Sequence, residues 1–249
     1  MIFNFLLPLY SMNKNREMLK GIKHVFIDLD DTLWWFTENS KVAFSHTYYK
    51  MNADEFSPSY DVFHDLYLEK NSELWDLYHH GKIEKDFLVT ERFRWVLEQV
   101  GYDGDCDAMS KAMNEEYLTY LATLPTIVPG AMELVKRLND MGLEVNVLSN
   151  GFKGIQQQKL ESGGLLKYIK HVVLSDDCGY TKPMREIFDY ALEVTGATAE
   201  ASVMIGDNPE ADIQGAHEAG WHTIYFNLKN KPAIGDTADY EVTSLDEIM

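Results

Sequence analysis

The hydrophobic pattern changes period twice along the chain. Residues 25–27, Val-Phe-Ile, form an apolar, β-favouring run with the character of a strand buried on both faces. After Trp34-Trp35-Phe36 the spacing becomes helical. Ser57-Pro58 reads as an N-cap followed by a first-turn proline, leading into Phe63, Leu66, Tyr67, Leu74, Leu77 and Tyr78 before Gly81. Val89, Phe93, Val96, Leu97 and Val100 keep helical spacing up to Gly101, a C-terminal stop. Met113, Tyr117, Tyr120, Leu121 and Leu124 mark another amphipathic helix, ended by Pro125. Residues 37–123 therefore predict helices and no strand, their Met and aromatic stripes forming a core.

Beyond Pro125 strands and helices alternate. A helix from Pro129 through Leu134, Val135 and Leu138 stops at Gly142, and residues 143–148 read as a buried strand. Helices are predicted at 155–160, 183–194 and 213–219, and strands at 172–174, 203–205 and 223–226. This alternation predicts the α/β class: a Rossmann-like, doubly wound parallel sheet with every strand's carboxyl end on one edge. The helical block interrupts the pattern directly after the first strand, so it is predicted as an inserted all-helical cap over that edge. The expected organisation is a tail at 1–19, a core at 20–36 and 124–249, and a cap at 37–123.

Composition narrows the function classes. The 249 residues, 45% of them hydrophobic, are enough for one large core or two moderate ones. A net charge of −18 argues against a nucleic-acid polymer or an anionic membrane as partner, because both reward clustered Lys and Arg. Two cysteines, Cys106 and Cys178, are too few for a disulfide framework or a zinc site and fit a reducing cytoplasm. No apolar run approaches the about 20 residues of a membrane helix. The first ten residues are apolar, yet no basic segment precedes them and no clear small-residue cleavage site follows. They read as a loose tail or a short anchor, with Met18 as an alternative start.

Four stretches carry candidate chemistry. Asp28 and Asp30 follow the first strand two residues apart, which in an extended chain points both to one side. A strand running into a polar turn explains one Asp easily, while the pair stands where open α/β sheets place their chemistry, and the stretch alone leaves both readings open. A calcium loop would need Gly where Leu33 stands. Ser149-Asn150-Gly151 follows the strand at 143–148 and reads either as a phosphate cradle or as an ordinary strand-to-helix turn. Lys182 precedes Pro183 at a helix start, where its cation adds to the positive end of the dipole and a bound anion would compensate it. Gly206-Asp207-Asn208, with Asp212 five residues after Asp207, brings two more carboxylates to the same edge. Crowded together, Asp28, Asp30 and Asp207 would raise one another's pKa values unless a cation sat among them, and oxygen ligands favour Mg²⁺.

Asp-x-Asp-Asp-Thr, Ser-Asn-Gly, Lys-Pro and Gly-Asp-Asn-x-x-x-x-Asp, each at a strand end, together resemble the haloacid dehalogenase superfamily. The resemblance runs from about residue 22 to the C-terminus. Gly206 to Asn227 is most similar to the branch of small-molecule phosphatases that includes pyrimidine 5′-nucleotidases. It implies Asp28 as nucleophile and Asp30 as general acid and base. Ser149, with the Asn150-Gly151 turn, would hold the phosphoryl group, and Lys182 would bridge nucleophile and phosphate. Mg²⁺ would be held by Asp28, the Asp30 carbonyl and Asp207, with Asp212 supporting that shell. Many relatives carry Asp-Pro where this chain has Met184-Arg185.

The reading is thus a Mg²⁺-dependent phosphomonoesterase acting on small phosphorylated metabolites, as a monomer or small homo-oligomer. Its rivals are a dehalogenase, for which Asp30 is superfluous, a phosphosugar mutase, and a non-catalytic binding module. Trp34, Trp35 and Phe36 lie just past the catalytic acids. Trp34 is expected either to stack on a nucleobase, giving a preference for nucleoside 5′-monophosphates, or to pack the hinge between core and cap.

Overall fold

The computed structural model describes residues 18–229 and 237–248. The expected N-terminal tail therefore lies, up to residue 17, outside the described residues. The chain forms two compact units, one made of residues up to Trp35 and from Pro125 onward, the other of Phe36–Leu124.

The first unit is built on six parallel strands: β1 (His24–Ile27), β2 (Glu144–Ser149), β3 (His171–Leu174), β4 (Ser202–Gly206), β5 (His222–Phe226) and β6 (Tyr240–Val242). Their spatial order is β3-β2-β1-β4-β5-β6. Val25, Phe26 and Ile27 are wholly buried, as an apolar strand covered on both faces must be. Ile27 lies level with Val147 on one side and Ile205 on the other. The chain leaves β1 toward β2 and β3 in one direction and builds β4, β5 and β6 in the other. The carboxyl ends of β1 and β4 therefore flank a topological switch point, where open sheets hold their ligands. Below it, Trp221 packs between Phe26, tilted at 46° with ring centroids 4.6 Å apart, and Phe188, edge to face with centroids 5.4 Å apart.

The second unit contains α1 (Phe36–Lys50), α2 (Tyr60–His79), α3 (Lys85–Gln99) and α4 (Cys106–Leu121). α4 packs on both α1 and α3, and α3 on α2. The aromatic stripes meet inside: the Phe44 ring lies 4.7 Å from Tyr67 and 6.1 Å from Phe93, and all three are buried. The cap of α2 is Ser59, not Ser57. Its side chain accepts from the Val62 amide at 3.2 Å, which leaves Pro58 outside the helix.

Helices α5 (Ala131–Asp140), α6 (Ile155–Ser162), α7 (Ser175–Cys178), α8 (Arg185–Thr195) and α9 (Gly215–Glu218) complete the sheet-bearing unit. Three starts differ from the sequence reading: α5 begins at Ala131, after Gly130 and not at Pro129, and two others shift as well. Residues 181–184 close a turn through the Met184 amide and the Thr181 carbonyl (2.8 Å), so α8 begins at Arg185 and not at Pro183. The helix expected at 213–219 opens earlier, as a π-helical turn over Pro209–Gln214 that then passes into α9. Among the described residues, no helix is long and apolar enough to cross a membrane.

Candidate active site

The strand ends bring Asp28, Ser149, Lys182, Asp207 and Asp212 into one cluster. Asp28 follows β1 directly, and its amide donates to the Ile205 carbonyl at 2.9 Å, fixing it to β4. Lys182 reaches inward and is only 2% exposed. Its ammonium donates to Asp28 Oδ1 (2.7 Å), Asp212 Oδ1 (2.6 Å) and the Leu148 carbonyl (2.8 Å). The expectation that Lys182 adds an uncompensated charge to a helix start is corrected: two carboxylates neutralise it inside the sheet edge.

Asn150 explains how Lys182 is held. Its side chain accepts from the Lys182 amide (2.7 Å) and donates to the Lys182 carbonyl (2.9 Å). The Asn150 side chain is therefore engaged in clamping the loop that carries Lys182, which leaves to Ser149 and the backbone of the turn the ligand contact expected of this stretch.

Ser149 is prepared as a donor. Its Oγ accepts from the Gly151 amide (3.1 Å) and from Gln156 Nε2 (2.7 Å), so the hydroxyl proton is left to point at an acceptor outside this network. Gly151 is required here by contact, since a Cβ would lie 2.1 Å from Gln156 Nε2. Gly206 plays the same part for Asp212, whose Oδ2 would stand 2.3 Å from an added Cβ. Asp212 Oδ2 also accepts from the Asn208 amide at 3.0 Å, which ties the loop after β4 to the cluster.

Asp28, Asp207 and Asp212 each offer a carboxylate oxygen within 4.8 Å of the others. Burial pushes the Asp28 carboxyl well above the usual carboxylate range; Lys182 opposes that rise, and Asp212, Asp207 and Asp30 add to it. Burial alone would lower the Lys182 pKa, but Asp212 and Asp28 outweigh it and hold the ammonium charged. An all-oxygen donor set of this kind suits a hard divalent cation. Both oxygens of Asp212 are engaged, one by the Lys182 ammonium and the other by the Asn208 amide.

Asp30 sits apart from the Lys182 network, gripped by α6. Lys159 Nζ donates to its two oxygens at 2.7 and 3.0 Å, and Gln156 Nε2 donates at 3.0 Å. Neither residue stood out in the sequence, where polar positions in an amphipathic helix read as its solvated face. Asp31, in a left-handed conformation with φ 62°, is also buried and pairs with Lys229 at 2.9 Å. Trp34 is corrected as a ligand-stacking residue. It is fully buried, with the Lys159 ammonium 4.9 Å from its ring centroid and its backbone bridged to Ile127, so its face is occupied by the protein's own groups.

Comparison with known proteins agrees with this geometry. The family model described as haloacid dehalogenase-like hydrolase matches residues 22–220. The HAD-hydrolase YfnB of Bacillus subtilis (strain 168) is 28% identical over 232 residues, covering 92% of this chain and 95% of its own. Its magnesium-bound crystal structure superposes with a TM-score of 0.79 over 91% of this chain and 96% of that one. Pyrimidine 5′-nucleotidase YjjG of Escherichia coli (strain K12) is 30% identical over 228 residues, 90% of this chain and 95% of its own. A 2-haloacid dehalogenase from Pseudomonas syringae pv. Tomato DC3000, 26% identical, superposes with a TM-score of 0.66 over 91% and 96% of the two chains. With its family model matched over residues 22–220, the chain belongs to the haloacid dehalogenase-like hydrolases.

Proposed function

We propose that the chain is a Mg²⁺-dependent phosphomonoesterase that works through a phosphoryl group carried on Asp28. The observation that carries this reading is the all-oxygen set around Asp28, in which carboxylate oxygens of Asp28, Asp207 and Asp212 lie within 4.8 Å of one another. A dehalogenase of this fold needs the nucleophile but no acid for a phosphate leaving group, so Asp30 speaks against that rival. The likeness to YjjG points to nucleoside 5′-monophosphates, pyrimidine ones first, as the substrates to test.

Phosphomonoester hydrolysis is among the slowest uncatalysed reactions, so positioning and charge neutralisation must supply most of the acceleration. Asp28, Asp207 and the Asp30 carbonyl are the groups that would hold Mg²⁺, with Asp212 behind them. The bound cation would neutralise the carboxylates and the phosphoryl oxygens. Ser149 donates its free hydroxyl proton to one phosphoryl oxygen, and Lys182 holds Asp28 in place beside another. A carboxylate oxygen of Asp28 attacks phosphorus while the bond to the ester oxygen breaks. Asp30, entering the cycle protonated on one oxygen, gives that proton to the ester oxygen and is left as the carboxylate that Lys159 pairs with. Water then attacks the aspartyl-phosphate as Asp30 takes a proton back, releasing inorganic phosphate and restoring Asp28. The helical unit Phe36–Leu124, inserted in the chain between Asp30 and Ser149, is the part we assign to substrate choice.

The test is phosphate release by the full chain from nucleoside monophosphates and sugar phosphates, with Mg²⁺ and with EDTA, beside halide release from 2-chloropropionate. Phosphate release that EDTA abolishes is the expected result. Metal-independent halide release without phosphatase activity would assign the site to dehalogenation instead.

A further inference from the structure

We propose that Lys159 is a positioning residue that acts through Asp30, with Gln156 coupling that carboxylate to Ser149. The inference rests on the phosphatase reading above. Lys159 and Gln156 stand three residues apart on α6 and so share one face, which is turned inward: Lys159 is 3% exposed and Gln156 fully buried. Burying an ammonium is costly unless it is paired, and the Lys159 partner is Asp30, held through both oxygens.

The third donor fixes the arrangement. Gln156 Nε2 lies between Asp30 Oδ2 and Ser149 Oγ, and the carboxylate requires the nitrogen, not the amide oxygen, on that side. Three N–H groups thus define the rotamer of Asp30, while its side chain keeps 30% exposure through which a ligand can be reached. The same helix therefore registers the acid–base carboxylate and the phosphate-facing hydroxyl against each other. Trp34 forms the floor under the Lys159 ammonium, a cation–π contact that keeps the lysine from swinging away.

Rates with p-nitrophenyl phosphate and Mg²⁺ test this in the full chain. Lys159→Met should lower kcat on the order of 10²-fold, the cost of misplacing a reacting group by about 1 Å, with KM nearly unchanged. Lys159→Arg should restore most of the loss. In an Asp30→Asn background the Lys159→Met change should cost no more than about twofold, because the group it acts through is gone. A cost as large in that background as in the wild type would show a merely structural lysine and overturn the proposal. So would an unchanged kcat in the single variant. If Lys159→Met does not fold, Lys159→Gln carries the same comparison. Wild-type protein inactive on this ester and on every nucleotide and sugar phosphate would refute the phosphatase reading, and this inference with it. Wild-type turnover with an indifferent Lys159 refutes the inference alone.

Discussion

At the scale of single residues, Asp28 concentrates the physics of the site. Burial, with Asp212, Asp207 and Asp30 nearby, raises its pKa against the pull of Lys182. A carboxyl whose folded pKa lies above its ordinary value of 3.8 favours the folded state only while protonated. Metal-free protein should therefore lose stability as pH rises from about that value through the raised folded one, and the full cost should be present above it. Asp28→Asn removes the charge at nearly constant shape. In EDTA at neutral pH it should melt higher than the wild type, with the difference disappearing in acid, while turnover falls below detection. Equal melting temperatures across the pH range would show that the Asp28 charge carries no folding cost. Asn150 gives a second residue-level case. Asn150→Ala leaves two buried backbone groups of Lys182 without their partners, and should cost about 2–4 kcal/mol in urea unfolding. A loss under about 0.5 kcal/mol, the usual range for neutral surface changes, would mean that the Lys182 loop holds itself.

Among the elements, those defined by burial were legible in the sequence and those defined by partners were not. β1, β2, β4 and β5 are apolar runs buried on both faces, and such runs announce themselves. β6 is three residues long at the sheet edge, with Glu241 exposed, and so carries no such signal. Three of the four chemistry-bearing stretches were visible because each begins where an apolar run stops; Lys182 was visible through the proline that follows it. Lys159 and Gln156 were not, because nothing in the period of α6 distinguishes a polar residue facing solvent from one facing Asp30. The same blindness made Trp34 look like a stacking platform, when its face is covered by Lys159. Ser57 and Ser59 flank Pro58 symmetrically, and only the hydrogen bond to Val62 shows which one caps α2.

For the whole molecule, the two units divide the labour that we assign to them. A core in which Phe36–Leu124 is replaced by a short linker should still cleave a small activated aryl phosphate, yet discriminate poorly among natural phosphomonoesters. A folded core with unchanged preferences would take substrate choice away from the helical unit. Cation binding should be visible in the stability of the full chain, independently of turnover. Mg²⁺ at 100 times its dissociation constant should stabilise the fold by about 2.7 kcal/mol, read as a higher melting temperature. Asp207→Asn should lose most of that shift, because it removes one of the three converging carboxylates. A melting temperature indifferent to Mg²⁺ in the wild type would remove the cation from the cluster.

The most direct test is to capture the phosphoryl group on the protein. The full chain, mixed with Mg²⁺ and the best phosphomonoester found, is quenched in acid within the first turnover, digested, and examined by mass spectrometry. The expected result is one phosphoryl group on the peptide that contains Asp28, absent when EDTA replaces Mg²⁺ and absent in Asp28→Asn. Phosphate release at the wild-type rate by Asp28→Asn, with no adduct on that peptide at any quench time, would contradict a mechanism centred on Asp28.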